Sequence, residues 1–258
     1  MRFQIMDVEH GFCAYAEADN NNLMVFDCGH HGVNKFLPSN YLLKRGHRSI
    51  ESFFVTNYDQ DHISDLPNLY SKLTIQTLYR NKSISAEELR RLKLQSGSLS
   101  DAMKVLLSMM TSYTATVTNA PEFPNITWQI FHNNYPEFED TNNISLVIFL
   151  KLKNTTFLIP GDLEKPGWEK LLHKPTFRQA LGEVDYLIAS HHGRENGYCK
   201  QVFDYCTPLA VIMSDGPKKH ATQEMVSTYA QHAKGIQFNG KTRYVLTTRT
   251  DGTLWWDL

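Results

Sequence analysis

The stretch Val55-Thr-Asn-Tyr-Asp-Gln-Asp-His-Ile-Ser-Asp-Leu66 packs Asn57, Asp59, Asp61 and His62 into one short segment directly after the apolar run Ser52-Phe-Phe-Val-Thr56. A short run rich in Phe and Val, bounded by polar residues, reads as a buried strand, so the cluster falls on a strand-to-loop junction. Aspartates at alternate positions with an adjacent histidine can reach two metal centres from one tight loop, and Zn or Mn take imidazole and carboxylate ligands. A plainer reading is a helix cap: Asp59 or Asp61 ahead of a helix starting near Ile63 would satisfy free backbone N–H groups. The rest of the chain decides between the two.

Four further polar clusters stand out: Asp27-Cys-Gly29, Gly161-Asp162, Ser190-His-His-Gly193 and Ser214-Asp-Gly-Pro-Lys-Lys-His220. Each follows an apolar run that reads as a strand: 23–26, 155–159, 186–189 and 209–213. Further strands are expected at 3–8, 13–18, 126–131, 145–152 and 244–248, with Asn20-Asn-Asn22 as a turn. Helical spacing marks 38–45, 168–172 and 222–232. It also marks 85–94 and 100–113, which form a mid-chain insert. Strands in both halves, each ending in a polar cluster, point to two sheets whose ends converge on one site. No internal repeat and no linker divides the chain, so residues 1–258 are expected to form a single domain.

Composition narrows the function classes. Of 258 residues, 41% are hydrophobic and 21% charged, which suits a folded domain with a substantial core. The formal net charge of -1 means that any polyanion must be met by a local basic patch. The opening MRFQIMDVEHG carries Asp7, Glu9 and His10 where a signal peptide needs an apolar core. The run Leu146 to Leu152 is cut by Lys151, against the roughly 20 apolar residues of a spanning helix. Cys13, Cys28, Cys199 and Cys206 form no CxxC pair and no disulfide framework. The expectation is a cytoplasmic protein without a membrane partner.

The ordered set Asp-Cys-Gly, Asn-x-Asp-x-Asp-His, Ile-Pro-Gly-Asp, Ser-His-His-Gly and Ser-x-Gly-x-x-x-His resembles the metallo-β-lactamase superfamily. Within it, the set is similar to the hydrolase domain of the competence DNA-uptake protein ComEC and its stand-alone relatives. The resemblance runs from Met6 through His220, leaving the insert near residues 80–120 outside it. It implies an α+β chain folded as an αββα sandwich, with a metal site at the edge of the two sheets.

The resemblance implies metal ligands at Asn57, Asp59, Asp61, His62 and Asp162, with further nitrogen donors among His191, His192 and His220. The first position, usually histidine, is Asn57 here, a weaker neutral oxygen donor. Ser145 stands where many members place another histidine. One firm and one weaker divalent site, for Zn or Mn, are therefore expected, with Asp59 and Asp162 serving the weaker. The sequence leaves the three histidines interchangeable; we take His191 and His220 as ligands and His192 as a catalytic group facing the substrate. Asp61 is expected to orient water as well as to ligate, and Asp27 to hydrogen-bond the metal loop. Lys218 and Lys219 are candidates for holding an anionic substrate.

The implied activity is metal-assisted hydrolysis of a phosphodiester, in nucleic acid or a small nucleotide. The alternative is a weakly active or inactive binding module serving a protein partner in a multi-component bacterial system. With Asp-rich and His-His-Gly motifs in register, the cap reading of Asp59 and Asp61 becomes the weaker one.

Overall fold

Apolar side chains alternate along the strands so that each strand serves two layers. In Leu23–Phe26, Met24 and Phe26 join one buried cluster and Leu23 and Val25 another. In Thr155–Ile159, Phe157 and Ile159 share the cluster of Met24 and Phe26, whereas Leu158 turns to a third. Sheets apolar on both faces must be covered on both, which dictates sheets in the middle and helices outside.

The computed structural model of the protein, which describes residues 1–217 and 225–258, has this arrangement. The first sheet contains β1 (Arg2–Ile5), β2 (Ala14–Glu17), β3 (Leu23–Phe26), β4 (Ser49–Phe54) and β5 (Thr74–Tyr79). The second contains β6 (Ile126–Phe131), β7 (Val147–Leu152), β8 (Thr155–Ile159), β9 (Tyr186–Ile188) and β10 (Ala210–Met213). A hairpin of β11 (Ile236–Phe238) and β12 (Lys241–Arg243) precedes β13 (Val245–Thr247) and β14 (Leu254–Asp257). The strand orders are β14-β1-β2-β3-β4-β5 and β13-β10-β9-β8-β7-β6. In each sheet antiparallel pairing gives way to parallel pairing, across β3-β4-β5 in the first and β8-β9-β10-β13 in the second. The loops after β3, β4, β8, β9 and β10 carry the polar clusters.

Between the sheets lie Phe3, Phe26, Phe54, Ile148, Phe157, Ile188 and Ile212. Helices Pro38–Lys44, Leu66–Lys72, Ala86–Gln95 and Asp101–Ser112 cover the first sheet through Leu42, Leu69, Leu89 and Leu106. Helices Lys165–Leu172 and Pro175–Leu181 cover the second through Trp168, Leu171, Phe177 and Leu181. The fold is thus the expected αββα sandwich, and the insert helices supply part of the outer layer on the first sheet.

The expected strands and helices recur with shifts of a few residues. The expected helix 222–232 is seen as Val226–Ala230, its start lying outside the described residues. Strands β5, β11, β12 and β14 and helices Leu66–Lys72 and Pro175–Leu181 lie beyond the expected elements. Strands β5 and β14 lie at sheet edges, where only part of each strand is buried, so their apolar patterns are short. Among the described residues, no helix is long and apolar enough to cross a membrane.

Phe54 ends β4 immediately before the metal-ligand motif. It stacks on Phe26 at 4.8 Å and Tyr79 at 4.4 Å and meets Trp128 of the opposite sheet edge-on at 6.0 Å. Phe54→Ala is expected to cost about 3–5 kcal/mol, read as a lowered urea midpoint. An unchanged midpoint would mean that the two sheets do not close on this ring.

Candidate metal centre

The motif after β4 is set by its backbone neighbours. Phe12 donates its N–H to the Asp61 carbonyl at 3.3 Å, and Cys28 donates to the His62 carbonyl at 2.7 Å. Gly11 and Gly29 lie so close to the Asp61 carbonyl that a Cβ at either would collide with it. The loops after β1 and β3 therefore grip this turn directly. Asp59 occupies the N-cap position of the short helix Gln60–Ile63 with extended backbone, yet its side chain makes no cap hydrogen bond. The capping reading fails for Asp59.

Asp162 follows β8 on a turn through Gly161, whose φ of +59° favours glycine. After β9, His191 and His192 both adopt left-handed backbone, at φ 51° and 57°. Two consecutive non-glycine residues in that region are strained, an arrangement found where side-chain placement matters.

Asp61, His62, Asp162 and His192 converge: one ligand atom from each lies within 4.8 Å of the others. His62 Nε2 is 2.9 Å from Asp162 Oδ1, and His192 Nε2 is 3.2 Å from Asp61 Oδ2 and 3.5 Å from Asp162 Oδ1. Both imidazoles are braced from behind. His62 Nδ1 meets Asp27 Oδ2 at 2.7 Å, and His192 Nδ1 donates to the Ser214 carbonyl at 3.0 Å. Asp27, fully buried, also accepts from the Thr56 N–H at 2.7 Å and from the Thr56 hydroxyl. Bracing of this kind fixes ring orientation for metal binding.

The donor set fits a divalent ion. His192 Nε2 is buried without a hydrogen-bond partner and faces two carboxylates. Two imidazoles with two carboxylates form the mixed set that Zn and Mn accept. The carboxylates and imidazoles of this group also stabilise one another's charged forms. Burial opposes charge on His62, but Asp162 and Asp27 outweigh it and hold its pKa well above the ordinary imidazole value. His192 is raised against burial by Asp162 and Asp61. Burial alone would raise Asp61, yet His192, His62 and His10 hold it below the usual carboxylate range. Against the same opposing burial, His62 and His192 bring Asp162 down to about 2.

Of the residues singled out in the sequence, Asp61, His62 and Asp162 meet in this group, and Asn57, Asp59 and His191 lie outside it. Asn57 is buried, with its Oδ1 accepting from the Asp59 N–H at 2.7 Å and its Nδ2 donating to Ser145 Oγ at 3.2 Å. Asp59 pairs with Lys93 and accepts from Thr141 Oγ1 at 2.9 Å. Of the histidine pair, expected as ligand His191 and catalytic group His192, it is His192 that the structure brings next to Asp61, His62 and Asp162. His192 joins the group, whereas His191 turns its Nδ1 to within 3.4 Å of Glu164 Oε1 because the left-handed turn sends the two rings apart. His220, Lys218 and Lys219 lie outside the described residues.

The structure adds residues that sequence reading passed over. The His10 ring lies 4.5 Å from His192, with Nε2 3.8 Å from Asp61 Oδ2. Arg194 Nη2 donates to His10 Nε2 at 2.8 Å, and Nη1 is 3.4 Å from His191 Nε2. The position of His10 in the opening Met6-Asp-Val-Glu-His-Gly11 motif was a usable signal; Arg194, past the His-His-Gly turn, gave none without the fold.

A metal requiring the Nε2 lone pair of His62 must displace its proton, so ion binding releases protons and weakens as pH falls. Asp61 and Asp162 stay ionised across this range, leaving the imidazoles to set the slope. The expected zinc affinity of the metal-free protein falls about tenfold per pH unit for each proton displaced below the raised imidazole pKa. Calorimetry in buffers of different ionisation enthalpy reads this directly, and a pH-independent affinity without buffer-dependent heat would contradict it.

No family model matches the chain. ComE operon protein 3 of Bacillus subtilis (strain 168) is 21% identical over 203 residues, covering 75% of this chain and 24% of that protein. The chain thus spans only about a quarter of that relative's length. CmlA, a diiron β-hydroxylase from Streptomyces venezuelae, superposes with a TM-score of 0.55 at 12% identity, over 100% of this chain and 54% of its own. Zn(2+)-bound PqqB from Methylobacterium extorquens gives 0.52 at 12% identity, with 100% of both chains covered. With these likenesses and the two-sheet topology, the chain has the metallo-β-lactamase fold and is similar in sequence to ComE operon protein 3.

Proposed function

We propose that the chain is a metal-dependent hydrolase acting on a phosphodiester, in nucleic acid or a small nucleotide. The observation that carries this reading is Arg194. Its guanidinium, half-buried, is held between His10 and His191 at the border of the Asp61 and His192 carboxylate-imidazole group. A guanidinium fixed in this way presents paired donors to an anion with two or more oxygens, such as a phosphodiester. Burial, reinforced by His192, lowers His10 to about 4, and burial also lowers His191. Both rings therefore stay neutral at pH 7, and the positive charge of this rim rests on Arg194.

A divalent ion held by Asp61, His62, Asp162 and His192 would supply a Lewis acid and acidify water for attack near neutral pH. Hydrolysis adds water across a phosphorus–oxygen ester bond. Arg194 binds and orients the anionic group, and ionised Asp61 accepts a hydrogen bond from the attacking water. His191, kept neutral by burial, lines this rim with its Nε2 towards Arg194 and its Nδ1 3.4 Å from Glu164 Oε1. The motif resemblance to the ComEC-type hydrolase domain favours nucleic acid as the substrate class. The formal charge of -1 favours a short, single-stranded or small substrate over a long duplex.

After chelation, turnover of bis(p-nitrophenyl) phosphate should return with Zn or Mn and vanish in Asp61→Ala and Asp162→Ala. Arg194→Ala should lower kcat/KM by about 10²-fold. A protein inactive under every ion would contradict the enzyme reading and favour a module that binds a protein partner.

A further inference from the structure

Asp59 alternates with Asp61 on one loop, so spacing alone offers it to a second ion. Its carboxylate meets the ammonium of Lys93 instead, and Thr141 closes the triangle, its Oγ1 2.9 Å from Asp59 Oδ1 and 3.3 Å from Lys93 Nζ. The lysine side chain is only 18% exposed.

Lys93 is delivered by a built helix. Ala86–Gln95 starts at Ser85 with a reciprocal cap: Ser85 N–H donates to Glu88 Oε2 at 2.9 Å and Glu88 N–H donates to Ser85 Oγ at 3.2 Å. Leu89, one turn before Lys93 on the same face, is fully buried, and Arg91 Nη2 donates to the Tyr135 hydroxyl at 2.5 Å. These contacts fix the height and rotation of the helix over Asp59.

Asn57 and Ser145 are engaged as well. The Asn57 amide oxygen accepts the Asp59 N–H in a local turn, while Nδ2 donates to Asn142 Oδ1 at 3.1 Å and to Ser145 Oγ. Ser145 Oγ also accepts the Asp162 N–H at 3.2 Å. A cation at this place would find an amide oxygen already bonded, a hydroxyl tied to two donors and a carboxylate already neutralised.

We propose that the Lys93 ammonium group takes the place of a second cation, so that the centre holds one metal ion with the Lys93–Asp59 pair beside it. The inference rests on the reading of Asp61, His62, Asp162 and His192 as a metal centre. It replaces the expected weaker site at Asp59 with an ion pair that no chelator removes.

The test is the number of zinc ions bound per folded chain, by elemental analysis and calorimetry, with circular dichroism confirming the fold of each variant. Wild type, Lys93→Arg and Asp59→Asn should each bind one ion. Lys93→Ala should gain a second, weaker one, which Asp59→Asn added to Lys93→Ala should abolish. Two ions on the wild type, loss of an ion in Asp59→Asn, or a folded Lys93→Ala that still binds one would overturn the proposal and leave the metal-centre reading intact. A wild type that binds none, with no ion-dependent hydrolysis, would overturn both. If Lys93→Ala does not fold, wild type and Asp59→Asn decide the matter alone.

Discussion

His62 is held at both ring nitrogens, by Asp27 at Nδ1 and Asp162 at Nε2, with all three side chains almost wholly out of water. Asp27 comes from the end of β3, His62 from the turn after β4 and Asp162 from the end of β8, so one array ties the two sheets at their shared edge. Burying an imidazole and two carboxylates is costly unless each is paired and hydrogen-bonded. Thr56 completes the pairing at Asp27, and its carbonyl accepts the Leu146 N–H at 2.8 Å just before β7. The strand ends can therefore approach each other only in the register that satisfies this array. That same register brings Asp61 and His192 into place.

The motif after β4 divides its work between two neighbourhoods. Asp61 and His62 turn towards the ends of β8 and β9, where the facing groups are a carboxylate and an imidazole. Asn57 and Asp59 turn towards residues 141–145 and the helix Ala86–Gln95, where they meet an amide, hydroxyls and an ammonium. Lys93 and Arg194 thus flank the motif on surfaces built from different parts of the chain, Lys93 paired with Asp59 and Arg194 held between His10 and His191.

Much of this was legible in residue order. The apolar runs Leu23–Phe26 and Thr155–Ile159 reported buried strands, and the polar clusters after them reported which strand ends matter. Asp61, His62 and Asp162 each sit beside a turn whose glycine or carboxylate spacing marks it. The division of His191 from His192 was not legible, because it depends on two left-handed residues in succession, which no side-chain pattern announces. Lys93 was hidden for another reason. In sequence it is one more charge on a helix face shared with Glu87, Glu88, Arg90 and Arg91, and only the docking of that helix, through its cap, Leu89 and Arg91, sets it over Asp59. Arg194 and His10 are 184 residues apart, and their contact follows from the fold alone.

The most direct test of the metal centre is anomalous diffraction at the zinc edge from crystals of the zinc-loaded protein. The expected result is a peak enclosed by Asp61, His62, Asp162 and His192, with His62 still bonded to Asp27 through Nδ1. A peak coordinated by His191 in place of His192, or the absence of zinc density between these four side chains, would contradict it.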